Sequence, residues 1–331
     1  MRVIFLGSGE FGLPTLEYLY SHHQLAAIVT QPDRPAGRRR QLTSTPVAQW
    51  HEHHVSDGVD IDLLKVEDVN SPAVVERVRR YQADASIVVA FGQKLGPELI
   101  EVLGGLAVNL HGSLLPSYRG AAPVNWAIIN GEKITGVSVI SLAQRMDAGE
   151  VYATAEITIN PNETAGELHD RLAPLGPRVI EQVLRQYERG TLESAPQDDS
   201  RASRAPKLTK ADGTVYFDRP AEEVRNRIHG LTPWPGCRVR WHCRATGKIE
   251  TLTLRRVQAI SEPPSFLSKA FDEQPPPAPG TVLDPLLVVA SPGVVKLLEV
   301  QAPGTRPMDA QAFARGHQLA PGDFLEPGPD A

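Results

Sequence analysis

The sequence predicts an α/β protein: a parallel sheet covered by helices in the first half, then a small β-barrel. Three observations carry this expectation. From Arg2 to Arg189, short apolar runs alternate with helical segments, the signature of β-α units whose strands are buried on both faces. The alternation stops at Ser194–Pro206, a polar stretch with no hydrophobic period. Beyond it, short strand-like runs recur at close spacing, as in a small barrel. A chain of 331 residues is long enough for two domains. The boundaries expected are a first domain over 1–193, a linker over 194–206, a second domain over 207–318 and a tail over 319–331.

The elements follow in order. Arg2–Leu6 reads as a buried strand and Gly7–Gly12 as a turn. Leu13–Tyr20 reads as a helix whose apolar face includes Leu13, Leu16 and Leu19. Leu25–Val29 is a second strand, and Pro72–Tyr81 is helical. Ala85–Ala90 and Leu106–Leu110 are further buried strands, and Ile134–Leu142 and Val151–Ile159 form a later pair. Thr164–Arg189 is helical, with interruptions at Pro174 and Pro177. In the second half, Ala221–His229 reads as a short helix. Arg238–Trp241, Ile249–Val257, Thr281–Leu283, Leu286–Val289 and Val294–Val300 are strand candidates, and Asp309–His317 is a closing helix. Ser261–Pro279, rich in proline, reads as a flexible loop, and Pro321–Ala331 as a frayed tail.

Composition narrows the function classes. A hydrophobic content of 41% with few aromatics describes a soluble globular protein. Cys237 and Cys243 are the two cysteines, too few for a disulfide framework or a zinc site by themselves. The run Val3–Leu6 is too short for a signal peptide core, and no apolar run is long enough to span a bilayer. A cytoplasmic location with no membrane partner is therefore expected. The net charge of −5 hides an asymmetry. Arg201 to Arg256 holds 13 Lys and Arg against 5 Asp and Glu, an excess of +8 that leaves −13 for the rest. A second basic knot comprises Arg34, Arg38, Arg39 and Arg40. Local patches of this kind suit a polyanion, although Arg-rich solvated surfaces have the same composition.

Three constellations could carry chemistry. Gly7-x-Gly9-x-x-Gly12 follows a strand and opens a helix, with Asp33 about 20 residues on, as in a dinucleotide site. However, the acid should end the second strand, whereas Thr30, Gln31 and Pro32 intervene. The glycines alone would allow a tight turn with close helix packing. His51, His53 and His54 lack the i, i+4 spacing of a helical metal site, and no cysteine is near, so a solvated helix face accounts for them. Asn109, His111 and Asp147 form the stronger set. Asn109 and His111 lie two apart at a strand end and so share a face. The Arg145–Gly149 turn could carry Asp147 to them. An amide can hold a developing oxyanion, an imidazole can move a proton near neutral pH, and a carboxylate can orient that imidazole. Together these suit acyl transfer to an amine. Simple satisfaction of backbone groups at a strand end is the alternative.

Asn109-x-His111-x-Ser113-Leu114-Leu115-Pro116, with Arg119-Gly120-Ala121-x-Pro123 and Asp147-x-Gly149, resembles the active-site signature of the 10-formyltetrahydrofolate-dependent formyltransferase family. Further segments resemble the members that act on methionyl initiator tRNA: Thr30–Arg38, Lys207-Leu208-x-Lys210, Pro233-Trp234-Pro235-Gly236, and an ending, Leu297–Phe313, that contains Pro303-Gly304 and Met308. The resemblance spans nearly the whole chain apart from Ser261–Pro279 and the tail. It implies a Rossmann-like first domain and an OB-like barrel. The implied activity is transfer of a formyl group from 10-formyltetrahydrofolate to the α-amine of methionyl initiator tRNA. The implied catalytic residues are Asn109, His111 and Asp147. Folate contacts are implied at Phe91, Gly92 and Gln93 and at Ser113, Leu114, Leu115 and Pro116. Contacts to tRNA are implied at Arg34, Arg38, Arg39, Arg40, Lys207 and Lys210. The chemistry requires no metal, and a monomer is expected.

The chain departs from the pattern in three places. Arg39-Arg40-Gln41 stands where glycine-lysine-lysine is usual, Ser117 where a basic residue is common, and Arg145-Met146 where glycine-leucine precedes the aspartate. Rival readings are a formyltransferase acting on an amino sugar nucleotide, a purine-pathway formyltransferase, a tRNA-binding module without catalysis, and a nicotinamide oxidoreductase. The Arg34–Arg40 loop and the ending speak against the sugar acceptor. The purine-pathway family lacks the second domain, and the intact Asn109, His111 and Asp147 speak against a purely binding role.

Overall fold

The computed structural model describes residues 1–37, 41–55, 61–262 and 275–328. Packing divides the chain into two units, and the division is not a single cut. The first comprises Met1–Pro123, Ile134–Ile157 and His169–Pro206, while Val124–Lys133 and Thr158–Leu168 group with the chain from Lys207 onward. No helix among the described residues is long and apolar enough to cross a membrane.

The chain up to Pro206 runs through β1 (Arg2–Gly7), α1 (Leu13–His22), β2 (Gln24–Thr30), a small β3–β4 ribbon (Arg34–Ala36 and Gln41–Thr43) and α2 (Pro46–Val55). Then come β5 (Asp62–Lys65), α3 (Pro72–Arg80), β6 (Ala85–Val89), α4 (Pro97–Val102), β7 (Leu106–His111), the two-residue β8 (Arg119–Gly120) and α5 (Pro123–Ile129). β9 (Ile134–Ser141), β10 (Val151–Thr158), α6 (Ala165–Leu172), α7 (Gly176–Glu188) and β11 (Arg204–Ala205) complete the sequence. The main sheet has the order β10-β9-β7-β6-β1-β2-β5. Strands β7, β6, β1, β2 and β5 run parallel, each paired to the next. The expected parallel sheet carries an antiparallel addition at one side: β9 pairs antiparallel to β7, with His111 opposite Ser138. Strand direction is set by the route of the connecting chain, which apolar composition does not encode.

Val3, Ile4, Phe5 and Leu6 are all completely buried, as a strand covered on both faces must be. The order reverses between β1 and β6: the chain moves outward through β2 and β5, then returns to the other side. Ligands in such sheets bind beyond the carboxyl ends of the strands at that reversal. The helical stretch after Thr164 breaks where expected. Ala173–Leu175 forms a 3-10 turn, after which α7 buries Gly176, Val179, Ile180, Val183 and Leu184, one apolar stripe at helical spacing.

The second unit contains α8 (Ala221–Gly230), β12 (Cys237–His242), β13 (Ile249–Ile260), β14 (Val282–Asp284), β15 (Leu287–Val289), β16 (Val294–Gln301), β17 (Met308–Asp309), α9 (Ala310–His317) and β18 (Phe324–Pro327). Its sheet is antiparallel, in the order β14-β15-β16-β13-β12-β18. It curls until a bridge between Thr281 and Phe324 joins its two ends, a barrel-like closure that removes free edges. The expected loop at Ser261–Pro279 falls mostly outside the described residues.

The expectation of a frayed tail is corrected for 321–328, while 329–331 lie outside the described residues. β18 pairs with β12, matching Trp241 to Leu325 and Arg240 to Glu326. Just before it, the buried Asp323 accepts from Trp241 Nε1 (2.8 Å) and from the Arg244 amide (2.8 Å). The tail looked disordered because Pro321, Gly322 and Pro327 flank a run of only two apolar residues; its pairing comes from an edge strand distant in sequence. A stop after Gln318 would strip these acceptors from the Trp241 and Arg244 donors and expose the β12 edge. At about 1–3 kcal/mol for each orphaned donor, we expect destabilisation of at least about 2 kcal/mol, a melting point lower by at least about 4–8 °C. A thermal melt of the truncated chain measures it.

Candidate active site

Three loops meet at the carboxyl ends of β1, β2 and β6. Ser8 Oγ donates to the Phe91 carbonyl (3.1 Å) and accepts from the Gln31 amide (3.1 Å). Gln31 Nε2 donates to the same Phe91 carbonyl (2.9 Å). The turn after β6 is thus pinned to the loops after β1 and β2. The Gly7–Gly12 fingerprint has a packing explanation. A Cβ on Gly7 or Gly12 would lie 2.9 Å from the Val89 carbonyl or 2.8 Å from the Phe5 ring. Asp33 is held in an ion pair with Lys65 (2.8 Å), which keeps its carboxyl below the usual range, and it lies beyond the end of β2. Close packing accounts for Gly7 and Gly12, whereas a Cβ on Gly9 would make only ordinary contact with Ala90 at 3.5 Å.

β7 delivers Asn109 and His111. With alternation along a strand, both face away from buried Leu110, about 7 Å apart. The Asn109 amide is half-buried and has no hydrogen-bond partner among the described residues. His111 is 6% exposed: Nε2 lies 2.9 Å from the Tyr118 carbonyl, while Nδ1 lies 3.7 Å from Asp147 Oδ2, beyond direct hydrogen-bond distance. A carbonyl can only accept, so Nε2 carries a proton in this arrangement. Asp147 Oδ2 also accepts from the Gly120 amide at 2.8 Å.

Backbone strain concentrates here. Five non-glycine residues among those described have positive φ, and Ala90, Tyr118 and Asp147 are three of them. Such conformations persist where surroundings over-determine them, typically at functional sites. Gly120 is dictated by contact: it adopts φ +131, and a Cβ there would strike the Ala205 carbonyl.

The structure therefore brings His111 and Asp147 together and sets Asn109 on the same strand face. The other expected residues divide. Ser113 is fully buried and donates to the Ser117 carbonyl (2.6 Å). Its own carbonyl accepts from Ser138 Oγ (2.7 Å), which in turn accepts from the Leu115 amide (3.0 Å). This shapes the Ser113–Pro116 loop, leaving Leu114 and Pro116 half-buried. The Phe91 ring belongs to the apolar core. The Gln93 amide is spent on the Val69 amide and the Val66 carbonyl, at 3.0 Å each. These two side chains support the wall, and the Phe91 carbonyl is itself taken by Ser8 and Gln31. Arg34 is exposed and paired with Glu67 at 2.9 Å, an ion pair of the kind worth little. Lys207 and Lys210 are exposed. Arg38, Arg39 and Arg40 lie outside the described residues. His54 stacks on Trp50 at 3.8 Å, and no group of three or more metal-binding side chains converges among the described residues.

One structural part of the site escaped the sequence. Residues in the expected linker lie against the His111 loop: β11 pairs in parallel with β8, the Arg119 amide donates to the Ser203 carbonyl (2.9 Å), and the Tyr118 amide donates to Ser203 Oγ (2.8 Å). A polar segment without period carries no local signal of such pairing.

A family model described as formyl transferase matches residues 1–184, and one described as formyl transferase, C-terminal domain, matches residues 207–318. The chain belongs to the formyl transferase family. Among its relatives, proteins named methionyl-tRNA formyltransferase from Acetivibrio thermocellus and Heliobacterium modesticaldum are 36% and 37% identical to it. They match 98% and 97% of this chain and 99% of their own lengths. Solved structures share the family's fold. An N-formyltransferase from Helicobacter canadensis, in complex with folinic acid and dTDP-3-aminofucose, aligns with TM-score 0.61 at 14% identity, over 90% of this chain and 99% of that one. HypX from Aquifex aeolicus in complex with tetrahydrofolic acid aligns with TM-score 0.57 at 15% identity, over 95% of this chain and 47% of that one.

Proposed function

We propose that this chain transfers the formyl group of 10-formyltetrahydrofolate to the free α-amine of methionyl initiator tRNA, acting in the cytoplasm as a monomer to prime translation. The observation that carries this is the full-length identity to relatives bearing that activity in their name. The uncommitted Asn109 amide beside the His111–Asp147 pair supports it.

The formyl donor lies against the Phe91–Gln93 backbone and the Ser113–Pro116 loop. The neutral α-amine attacks the formyl carbon, forming the new N–C bond, and the carbonyl oxygen becomes an oxyanion. The Asn109 amide donates to that oxyanion, because its N–H groups have no other partner among the described residues. His111 reaches it only by giving up the Tyr118 carbonyl. Asp147 holds His111 or a bridging water and helps carry away the amine proton. Collapse breaks the bond to the folate nitrogen N10, which takes up a proton as tetrahydrofolate leaves. The amide and the imidazole supply the charge stabilisation and the proton path, so no metal is needed. Arg34, Arg38, Arg39, Arg40, Lys207 and Lys210 meet tRNA phosphates, which makes binding salt-sensitive.

The test offers 10-formyltetrahydrofolate with methionyl initiator tRNA and, in parallel, a UDP-amino sugar. Formyl on the methionyl-tRNA alone is the expected result, with activity falling at low pH as the amine protonates. Transfer to the sugar alone would keep the site residues in their roles and overturn the acceptor.

A further inference from the structure

Gln197 spends one side-chain amide on four hydrogen bonds. Its Oε1 accepts from Arg119 Nε (3.0 Å) and Nη2 (2.7 Å), and its Nε2 donates to the carbonyls of Asp147 (2.8 Å) and Gly149 (2.7 Å). Both protons and both acceptor positions of the amide are used. The guanidinium of Arg119, only 10% exposed, continues to Asp199 Oδ1 at 2.8 Å, and Asp199 Oδ2 takes Arg145 Nη1 at 2.9 Å. The Arg145–Gly149 turn is therefore gripped at both ends. Asp199 holds its start and Gln197 holds its end, and Arg119 joins the two.

That turn is where the strain lies. Asp147 adopts φ +53, a conformation that costs of order 1–3 kcal/mol and needs external support. Its own carbonyl is one of the two that Gln197 holds. In that conformation its carboxylate meets the Gly120 amide and comes within 3.7 Å of His111 Nδ1. We propose that Gln197 is a positioning residue for formyl transfer. It fixes the Asp147 backbone in the left-handed form that presents the carboxylate to His111. The role rests on the activity proposed above, and nothing in the local sequence around Gln197 marks it.

Two variants separate the contacts. Gln197→Glu keeps the acceptor facing Arg119 but loses both donors to the turn, whereas Gln197→Met loses all four bonds. Both should lower kcat about 10- to 100-fold, with KM for folate and tRNA changed less than about threefold. In an Asp147→Asn background the further loss should be under about twofold, because the group being positioned is already gone. A merely structural contribution would instead carry its whole penalty into that background. Hydrogen exchange at the Ala148 and Glu150 amides should rise in Gln197→Glu whatever the acceptor. Parental kcat in Gln197→Glu, an additive double variant, or unchanged exchange each overturns the proposal. A parental protein that fails to formylate methionyl-tRNA would overturn the activity instead, and the exchange measurement would still judge the positioning role.

Discussion

Asn109→Ala is expected to lower kcat for formyl transfer by about 100- to 1000-fold while leaving KM and the melting temperature nearly unchanged. The separation follows from the geometry. The Asn109 side chain is half-buried on β7 with no hydrogen-bond partner among the described residues, so its loss orphans no donor or acceptor in the folded protein. Its value lies in the transition state, where a preorganised donor faces the charge that develops on the formyl oxygen. His111→Ala and Asp147→Ala should also impair turnover but are less cleanly separable. Removing His111 takes a donor from the Tyr118 carbonyl, and removing Asp147 takes an acceptor from the Gly120 amide, so both should also cost stability. Single-turnover transfer with purified methionyl initiator tRNA, paired with thermal melts, reads both quantities. Near-parental turnover in all three folded variants would remove these residues from the mechanism.

The second large effect concerns stability against pH. His229 on α8 is 1% exposed, and its Nε2 accepts from the Val257 amide at 3.1 Å. The ring is therefore neutral, with its proton on Nδ1. Burial pushes its pKa down to about 4, helped by the nearby cations Arg225 and Arg256 and opposed by Glu167. A depressed histidine stabilises the fold fully above its unfolded value near 6.5 and loses that contribution as pH falls toward 4, because the unfolded chain binds the proton first. The total is about 3 kcal/mol, of which about 2 kcal/mol should vanish between pH 7 and pH 5. Other groups titrate in this range, so the test compares slopes. Denaturant melts at pH 7 and pH 5 should show a smaller decline for His229→Gln, whose amide oxygen can still accept from Val257. Equal declines in parent and variant would mean that His229 protonates freely in the folded state.

Much of this protein is legible from residue order alone, and the reason is periodicity. Val3–Leu6 and Ala85–Val89 are unbroken apolar runs, and only a doubly covered strand buries every residue of such a run. The stripe on α7 declares its buried face, and Pro174 and Pro177 declare where the preceding helix must break. The signature around Asn109 and His111 named the chemistry through its resemblance to the formyltransferase family, and residues two apart on a strand share a face whatever the rest of the fold does. The basic bias after Arg201 likewise needs no coordinates.

The tertiary structure decided what depends on partners far along the chain. β9 reverses direction beside β7, β18 turns an apparent tail into a sheet edge, and the Phe91 and Gln93 side chains pack into the scaffold. Gln197 reaches Asp147 across 50 positions. Local pattern records whether a residue prefers burial and which face it shares with its neighbours. It does not record which distant backbone group will complete its hydrogen bonds, since that depends on where the chain returns after each crossover. Asn109, His111 and Asp147 were therefore visible as residue types in a sequence motif. The 3.7 Å approach of His111 to Asp147, and the strained turn that makes it, exist only because the folded chain brings Arg119, Gln197 and Asp199 to hold it there.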